Sequence, residues 1–187
     1  METATKNLEN DHGYILRLID VMEKMVLTIS TELKHIELVV ALIRNYADGF
    51  HHSKEENLLF PALVEKGFSN EQGPVAVMLH DHAEGRKFVK GMMDEINNIK
   101  SGDTSSLTIL YENMQSYIDL LRVHIRKENN VLFPMADKAL SLKDQEELLQ
   151  AFSEIEKTNY SNGQLDRYIT DIEGLEAIYL TGVRGEE

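Results

Sequence analysis

Two stretches of this chain carry the same side chains in the same order, and those side chains are metal ligands by type. The first reads Asp11-His12, then His51-x-x-x-Glu55-x-Asn57-Leu58-Leu59-Phe60-Pro61; the second reads Asp81-His82, then His124-x-x-x-Glu128-x-Asn130-Val131-Leu132-Phe133-Pro134. Each supplies two imidazoles and one carboxylate. His12, His51, Glu55, His82, His124 and Glu128 together make a donor set of nitrogen and oxygen suited to a pair of metal ions. A lone histidine on an apolar stripe is ordinarily a hydrogen-bonded core residue. The repetition of the whole set is what points to metal.

Residues four apart on a helix lie one above the other on one face, so His51 with Glu55, and His124 with Glu128, can point into a core together. His52 and Glu56 share that spacing. Alignment on Phe60 and Phe133 selects His51 and Glu55, with His52 and Glu56 as the alternative pair. His80 falls on the other side of its helix from His82 and reads as surface. His35, beside Lys34 and Glu37, reads the same way.

The carriers of these residues are helices by pattern. Ile15, Leu16, Ile19, Met22 and Val26 follow His12 at helical steps, and a second helix is expected from about Thr31 to Lys66. A third runs from Pro74 to Lys100, with the stripe Val75, Met78, Leu79, His82, Arg86, Val89, Met93, Ile96. The fourth carries Leu110, Met114, Tyr117, Leu121, His124, Glu128, Val131 and Met135. Tyr117 and Gly85 stand where they could line a ligand pocket, or could simply pack; Arg86 could steer anions or pair with a nearby carboxylate. Four long helices with short loops predict an all-α, up-down-up-down four-helix bundle over residues 1–140. Residues 141–187 predict a helical extension, with helices over 143–157 and 164–180 separated by a turn at 159–163. This extension is expected to pack on the bundle or on a partner, including a second copy of the chain.

Composition narrows the chemistry. The chain of 187 residues has no cysteine, which removes thiolate zinc, iron–sulfur ligation and thiol redox chemistry. A net charge of −13 argues against a nucleic-acid partner, since phosphate binding rests on lysine and arginine. The longest apolar run, residues 38–43, is far too short to span a bilayer, and the first ten residues lack a signal-peptide core. A soluble cytoplasmic protein with no membrane partner is the expectation.

In a bundle dimetal site each ion is expected to take two histidines, with Glu55 and Glu128 bridging and one bridging oxo or hydroxo group. Each ion then keeps one open position. Two iron ions fit a nitrogen and carboxylate environment best; manganese or zinc suits the ligand types less specifically.

These motifs resemble the hemerythrin-like, HHE cation-binding family, over roughly residues 8–140. The resemblance implies a four-helix bundle with a carboxylate-bridged di-iron centre on His12, His51, Glu55, His82, His124 and Glu128. Two departures shape the expected function. Oxygen-carrying members have a histidine four residues before the one at His82, where Met78 stands here. They also end in His-x-x-x-x-Asp, where this chain has Asn129 and offers Glu128. A four-histidine, two-glutamate centre with similarly exposed irons is therefore expected. It would bind or react with dioxygen, nitric oxide or peroxide in a sensing or protective redox role. The alternatives are an iron–sulfur centre repair or iron-donating factor, and a structural module in which metal only staples the helices. Whether the protein is an enzyme stays open on the sequence.

Overall fold

A computed structural model describes residues 2–160 and 163–181 of the chain. The described residues form helices and no strand. Helix α1 spans Ala4–Leu27, capped by Thr3, whose side chain accepts from the Lys6 amide. The second long helix, residues 33–65, is continuous but not uniform. It begins as α2 (Leu33–Leu42), widens into two π-helical segments, π1 (Ile43–His52) and π2 (Glu55–Leu59), and tightens again as α3 (Phe60–Glu65). Helix α4 spans Gly73–Lys100. The fourth long helix comprises α5 (Ser106–Lys127), a third π segment, π3 (Glu128–Leu132), and α6 (Phe133–Ala139). These four make the predicted bundle. Helices α7 (Leu142–Asn159) and α8 (Gln164–Tyr179) follow.

The π segments have an identifiable cause in two of the three places. Pro61 and Pro134 each stand at the second residue of the α-helix that follows π2 and π3. Proline has no N–H for the residue four back, and its ring crowds that carbonyl, so the preceding turn widens. In π1 the carbonyl of Gly49 accepts a hydrogen bond from the Tyr160 hydroxyl at 2.6 Å. A Cβ at Gly49 would meet the Arg44 carbonyl oxygen at 3.3 Å, so the wide turn favours glycine there.

Each wide turn shifts the helical register, and this corrects the expected stripe of the fourth helix. Val131 and Met135 are 48% and 40% exposed, whereas Leu132, Phe133 and Ala136 are buried. A uniform 3.6-residue period carried past Glu128 picks the wrong face, because π3 adds residue to the turn.

The apolar core is in two parts with a polar layer between them. One part gathers Ile15, Leu18, Ile19, Met22, Phe50, Val89, Met114, Leu121 and their neighbours. The other gathers Leu8, Leu59, Phe60, Leu63, Val75, Met78, Leu132 and Phe133. His12, His51, Glu55, His82, His124 and Glu128 all lie along the helices between these two sets.

The C-terminal helices build on both parts. Leu148 and Phe152 of α7 join the second part, and Ile172 and Leu175 of α8 join the first. A capping box of Ser141 and Asp144 starts α7, and Gln145 accepts from the Ala4 amide at 2.8 Å, tying α7 to the start of α1. Helix α8 packs on α1 and α2. Its Tyr179 hydroxyl meets His35 Nδ1 at 2.9 Å, so His35 is half-buried with a partner rather than free on the surface. The expected turn at 159–163 falls partly on residues 161 and 162, and the end of the expected extension on 182–187; both lie outside the described residues. Among the described residues no helix is long and apolar enough to cross a membrane.

The register shift is testable on adjacent residues. Leu132→Ala is expected to destabilise the fold by about 2–5 kcal/mol in chemical denaturation, and Val131→Lys by less than about 0.5 kcal/mol. Costs in the reverse order would place the α-helical stripe, not the π-shifted one, against the core.

Candidate metal centre

The structure brings all six predicted site residues to one place in the polar layer, each at most 2% exposed. The four histidines point Nε2 inward in two pairs. His12 Nε2 lies 3.0 Å from His51 Nε2, and His82 Nε2 lies 3.2 Å from His124 Nε2. Within each pair the rings meet edge-on, at interplanar angles of 64° and 63°. The glutamates stand between the pairs. Glu128 Oε2 is 3.2 Å from both His12 Nε2 and His124 Nε2. Glu55 Oε2 is 3.7 Å from His51 Nε2 and 3.5 Å from His82 Nε2. Each carboxylate thus touches one histidine of each pair, as a bridge between two ions would.

Around these groups the two motifs support each other crosswise. Glu56, which follows Glu55, meets His82 Nδ1 at 2.7 Å; Asn129, which follows Glu128, meets His12 Nδ1 at 2.8 Å. Asp11 meets His51 Nδ1 at 3.2 Å, and Asp81 lies 3.5 Å from His124 Nδ1. The aspartates are held in turn by Lys54 at 2.6 Å and Lys127 at 2.8 Å, the residues preceding Glu55 and Glu128. Phe133 stacks on His12 and Phe60 on His82. Hydrogen bonds on Nδ1 fix the His12, His51 and His82 rings and leave the Nε2 lone pair free for a ligand role. The repeated Lys-Glu-[Glu/Asn] triplet and the Phe-Pro ending were the sequence signals for this outer layer. Their roles needed contacts between distant helices to become visible.

His52 is where the structure departs most from expectation. The choice between His51 with Glu55 and His52 with Glu56 does not arise as a shift of one residue. The π turns place His51, His52 and Glu55 all inside, while Glu56 stays at the rim with Arg86. Two groups of candidate ligand atoms result, each lying within 4.8 Å of one another: His12, His51, Glu55 and Glu128 in one, and His52, Glu55, His82 and His124 in the other. The four predicted imidazoles keep their paired arrangement. A fifth imidazole faces the centre on one side, and it comes from the second helix rather than from the position of Met78. His80 is exposed, as expected.

The same side opens outward. A cavity of about 410 Å³ is lined at its inner end by His52, His82 and His124 and along its walls by Gly85, Val89 and Tyr117. Tyr117 and Gly85 both line it; a Cβ on Gly85 would reach Tyr117 Cε2 at 3.5 Å, an ordinary contact. Asp48 and Arg86 also line it, and Arg86 bonds Asp48 at 2.8 Å and Glu56 at 2.7 Å, so it pairs with carboxylates beside the site.

The family described as Hemerythrin HHE cation binding domain matches residues 3–136, and the chain belongs to this family. Relatives include the iron-sulfur cluster repair protein YtfE of Escherichia coli (strain SMS-3-5 / SECEC) and of Escherichia fergusonii. Each is 35% identical to this chain over 88 residues, which is 46% of this chain and 40% of the relative. The match thus spans less than half the length of these relatives. No solved structure matches the chain.

The donor set fits a metal on physical grounds. Both oxygens of Glu55 and both of Glu128 are buried without a hydrogen-bond partner. Four orphaned carboxylate oxygens in an apolar fold are tolerable only beside cations or protons. Without metal, burial and the nearby Glu128 push the Glu55 carboxyl well above the usual range. Burial acts the same way on Glu128, but His124, His12 and His51 outweigh it and hold that group down.

Burial also lowers His51, His52 and His82 below their ordinary 6.5, keeping these rings neutral and their lone pairs available. For a depressed imidazole, the unfolded chain binds the extra proton. Its contribution is therefore full above about pH 6.5 and is lost as pH falls toward the folded values. Glu55, raised in the fold, acts oppositely but is one group against three. Chelator-treated protein is expected to melt at a lower temperature at pH 5 than at pH 7, and His82→Asn is expected to flatten that dependence. A melting temperature that rises on acidification would contradict the neutral, buried histidines.

Proposed function

We propose that this protein is a non-haem di-iron protein that binds or reacts with a small ligand, dioxygen, nitric oxide or peroxide, in a sensing or protective redox role. The observation that carries the reading is the pairing of histidines on either side of two shared, otherwise orphaned glutamates, beside one cavity that reaches the centre. In this reading His12 and His51 hold one ion, His82 and His124 the other, and Glu55 and Glu128 bridge them, with an oxo or hydroxo group completing the bridge. Two irons there supply paired one-electron changes and an exchangeable ligand position. The chain's own residues do the rest. The Nδ1 partners orient the rings, the apolar layers on both sides exclude bulk water, and the cavity admits the ligand from one direction.

Iron rather than zinc is favoured by nitrogen and carboxylate donors combined with an accessible position. The bundle of residues 1–140 carries the centre, and the C-terminal helices close its outer wall and offer the surface for any protein partner. A second reading, repair of or iron donation to iron–sulfur centres, is supported by the names of the relatives.

One measurement separates the outcomes. Iron-replete protein purified without oxygen is expected to hold about two irons per chain and to change its absorption on adding nitric oxide or oxygen. Glu55→Ala and His124→Ala are each expected to lower the iron content below that of the unaltered protein. Protein that takes up no iron overturns the proposal. If iron is present, recovery of a damaged iron–sulfur enzyme in the presence of the protein, lost in His51→Ala, would favour the repair reading over ligand binding alone.

A further inference from the structure

The two motifs are symmetric in their ligands but not in what faces those ligands. The residue after His51 is His52, and the residue after His124 is Ile125, 3% exposed. Three residues after His82 stands Gly85, open to the cavity; three after His12 stands Ile15, 1% exposed and packed in the core. One side is filled with apolar side chains. The other is hollow and ends on an imidazole.

The His52 ring is set for a role other than metal ligation. An ion bound by a neutral imidazole lies in the plane of the ring, along the nitrogen lone pair. The paired histidines meet edge-on with centroids 4.6 and 4.8 Å apart, which lets two ring planes converge on one ion. His52 instead stacks on His82, with centroids 3.8 Å apart and planes within 16°. Two rings stacked face to face cannot both contain one ion in their planes. An ion held by His82 and His124 lies well off the His52 plane.

The outer nitrogen settles the tautomer. His52 Nδ1 lies 3.4 Å from Asp48 Oδ1, and Asp48 also accepts from Arg86 Nε at 2.8 Å. A carboxylate held this way only accepts, so Nδ1 carries the hydrogen and Nε2 is the ring's acceptor, on a residue that lines the cavity with His82 and His124.

We propose that His52 is a positioning residue that accepts a hydrogen bond from a proton-bearing ligand, such as water, hydroxide or a hydroperoxide, seated at the inner end of the cavity beside His82 and His124. The inference rests on the di-iron reading and deepens it. It makes the centre discriminating, because a ligand that carries a proton gains this hydrogen bond and one without a proton, such as azide, does not. An azide ion must displace an occupant that His52 retains.

The test compares azide affinity and metal content in the iron-loaded protein, His52→Leu and His52→Gln. Leucine removes the acceptor at similar volume, and glutamine restores one through Oε1. His52→Leu is expected to keep the iron content and ligand-free spectrum of the unaltered protein and to bind azide about tenfold more tightly, the worth of about one hydrogen bond. His52→Gln is expected to return the affinity to that of the unaltered protein. Loss of iron or a shifted ligand-free spectrum in His52→Gln, which folds with an acceptor in place, would make His52 a ligand and overturn the proposal. Unchanged azide affinity in an iron-replete His52→Leu would reduce the residue to packing and overturn it too. Unaltered protein without iron overturns the di-iron reading itself, a result read before any variant is compared.

Discussion

Two glutamates in the middle of a protein core, with all four oxygens unpartnered, are the constraint from which the rest of this structure follows. An isolated buried carboxylate is among the least favourable groups a fold can hold, and two beside each other are worse. The surroundings answer that problem at every level. Four imidazoles present nitrogen toward the glutamates; His12, His51 and His82 hydrogen-bond outward through Nδ1, and the outer carboxylates are themselves neutralised by Lys54, Lys127 and Arg86. What the protein does not supply is positive charge at the centre. A cation fits that role, and nitrogen and oxygen donors facing one point define its type.

The crosswise support explains why the motif has to be repeated and not merely present twice. Glu56 and Phe60 of the first copy serve His82 of the second, and Asn129 and Phe133 of the second serve His12 of the first. Neither half can position its own lone histidine. The layer therefore forms only when all four helices are packed, which couples the candidate centre to the cooperativity of the fold. Lys54 shows how deep this goes: a fully buried ammonium bonded to Asp11 and Asn7, under the rings of Phe50 and Phe152. Through Phe152, helix α7 is part of the site's support.

Symmetry in the ligands and asymmetry in their surroundings serve different ends. Matching donors can hold two like ions, and a cavity lined by His52, His82 and His124 opens on one side of the donor set. The chain achieves the second by a few substitutions between otherwise matched positions, glycine for isoleucine and histidine for isoleucine among them. That is a small sequence difference with a large consequence for access, because it packs one side of a nearly symmetric donor set and leaves the other open to the cavity.

The bundle, its four histidine-bearing helices and the six converging side chains were legible in the chain itself. The reason is that helical periodicity and the repeated His-x-x-x-Glu and Phe-Pro spacing are local properties, and a bundle leaves them one shared interior. The prolines after each motif were visible too, but their effect was not. A widened turn changes the number of residues per turn, so Val131 and Met135 left the predicted stripe and His52 entered the site beside His51. His35 likewise gained its partner from α8, far along the chain. Residue types and spacing determined which chemistry is possible. Only the packed helices decided which histidines face the centre, which residues hold them and which side is open, because those depend on backbone register and on contacts between residues distant in sequence.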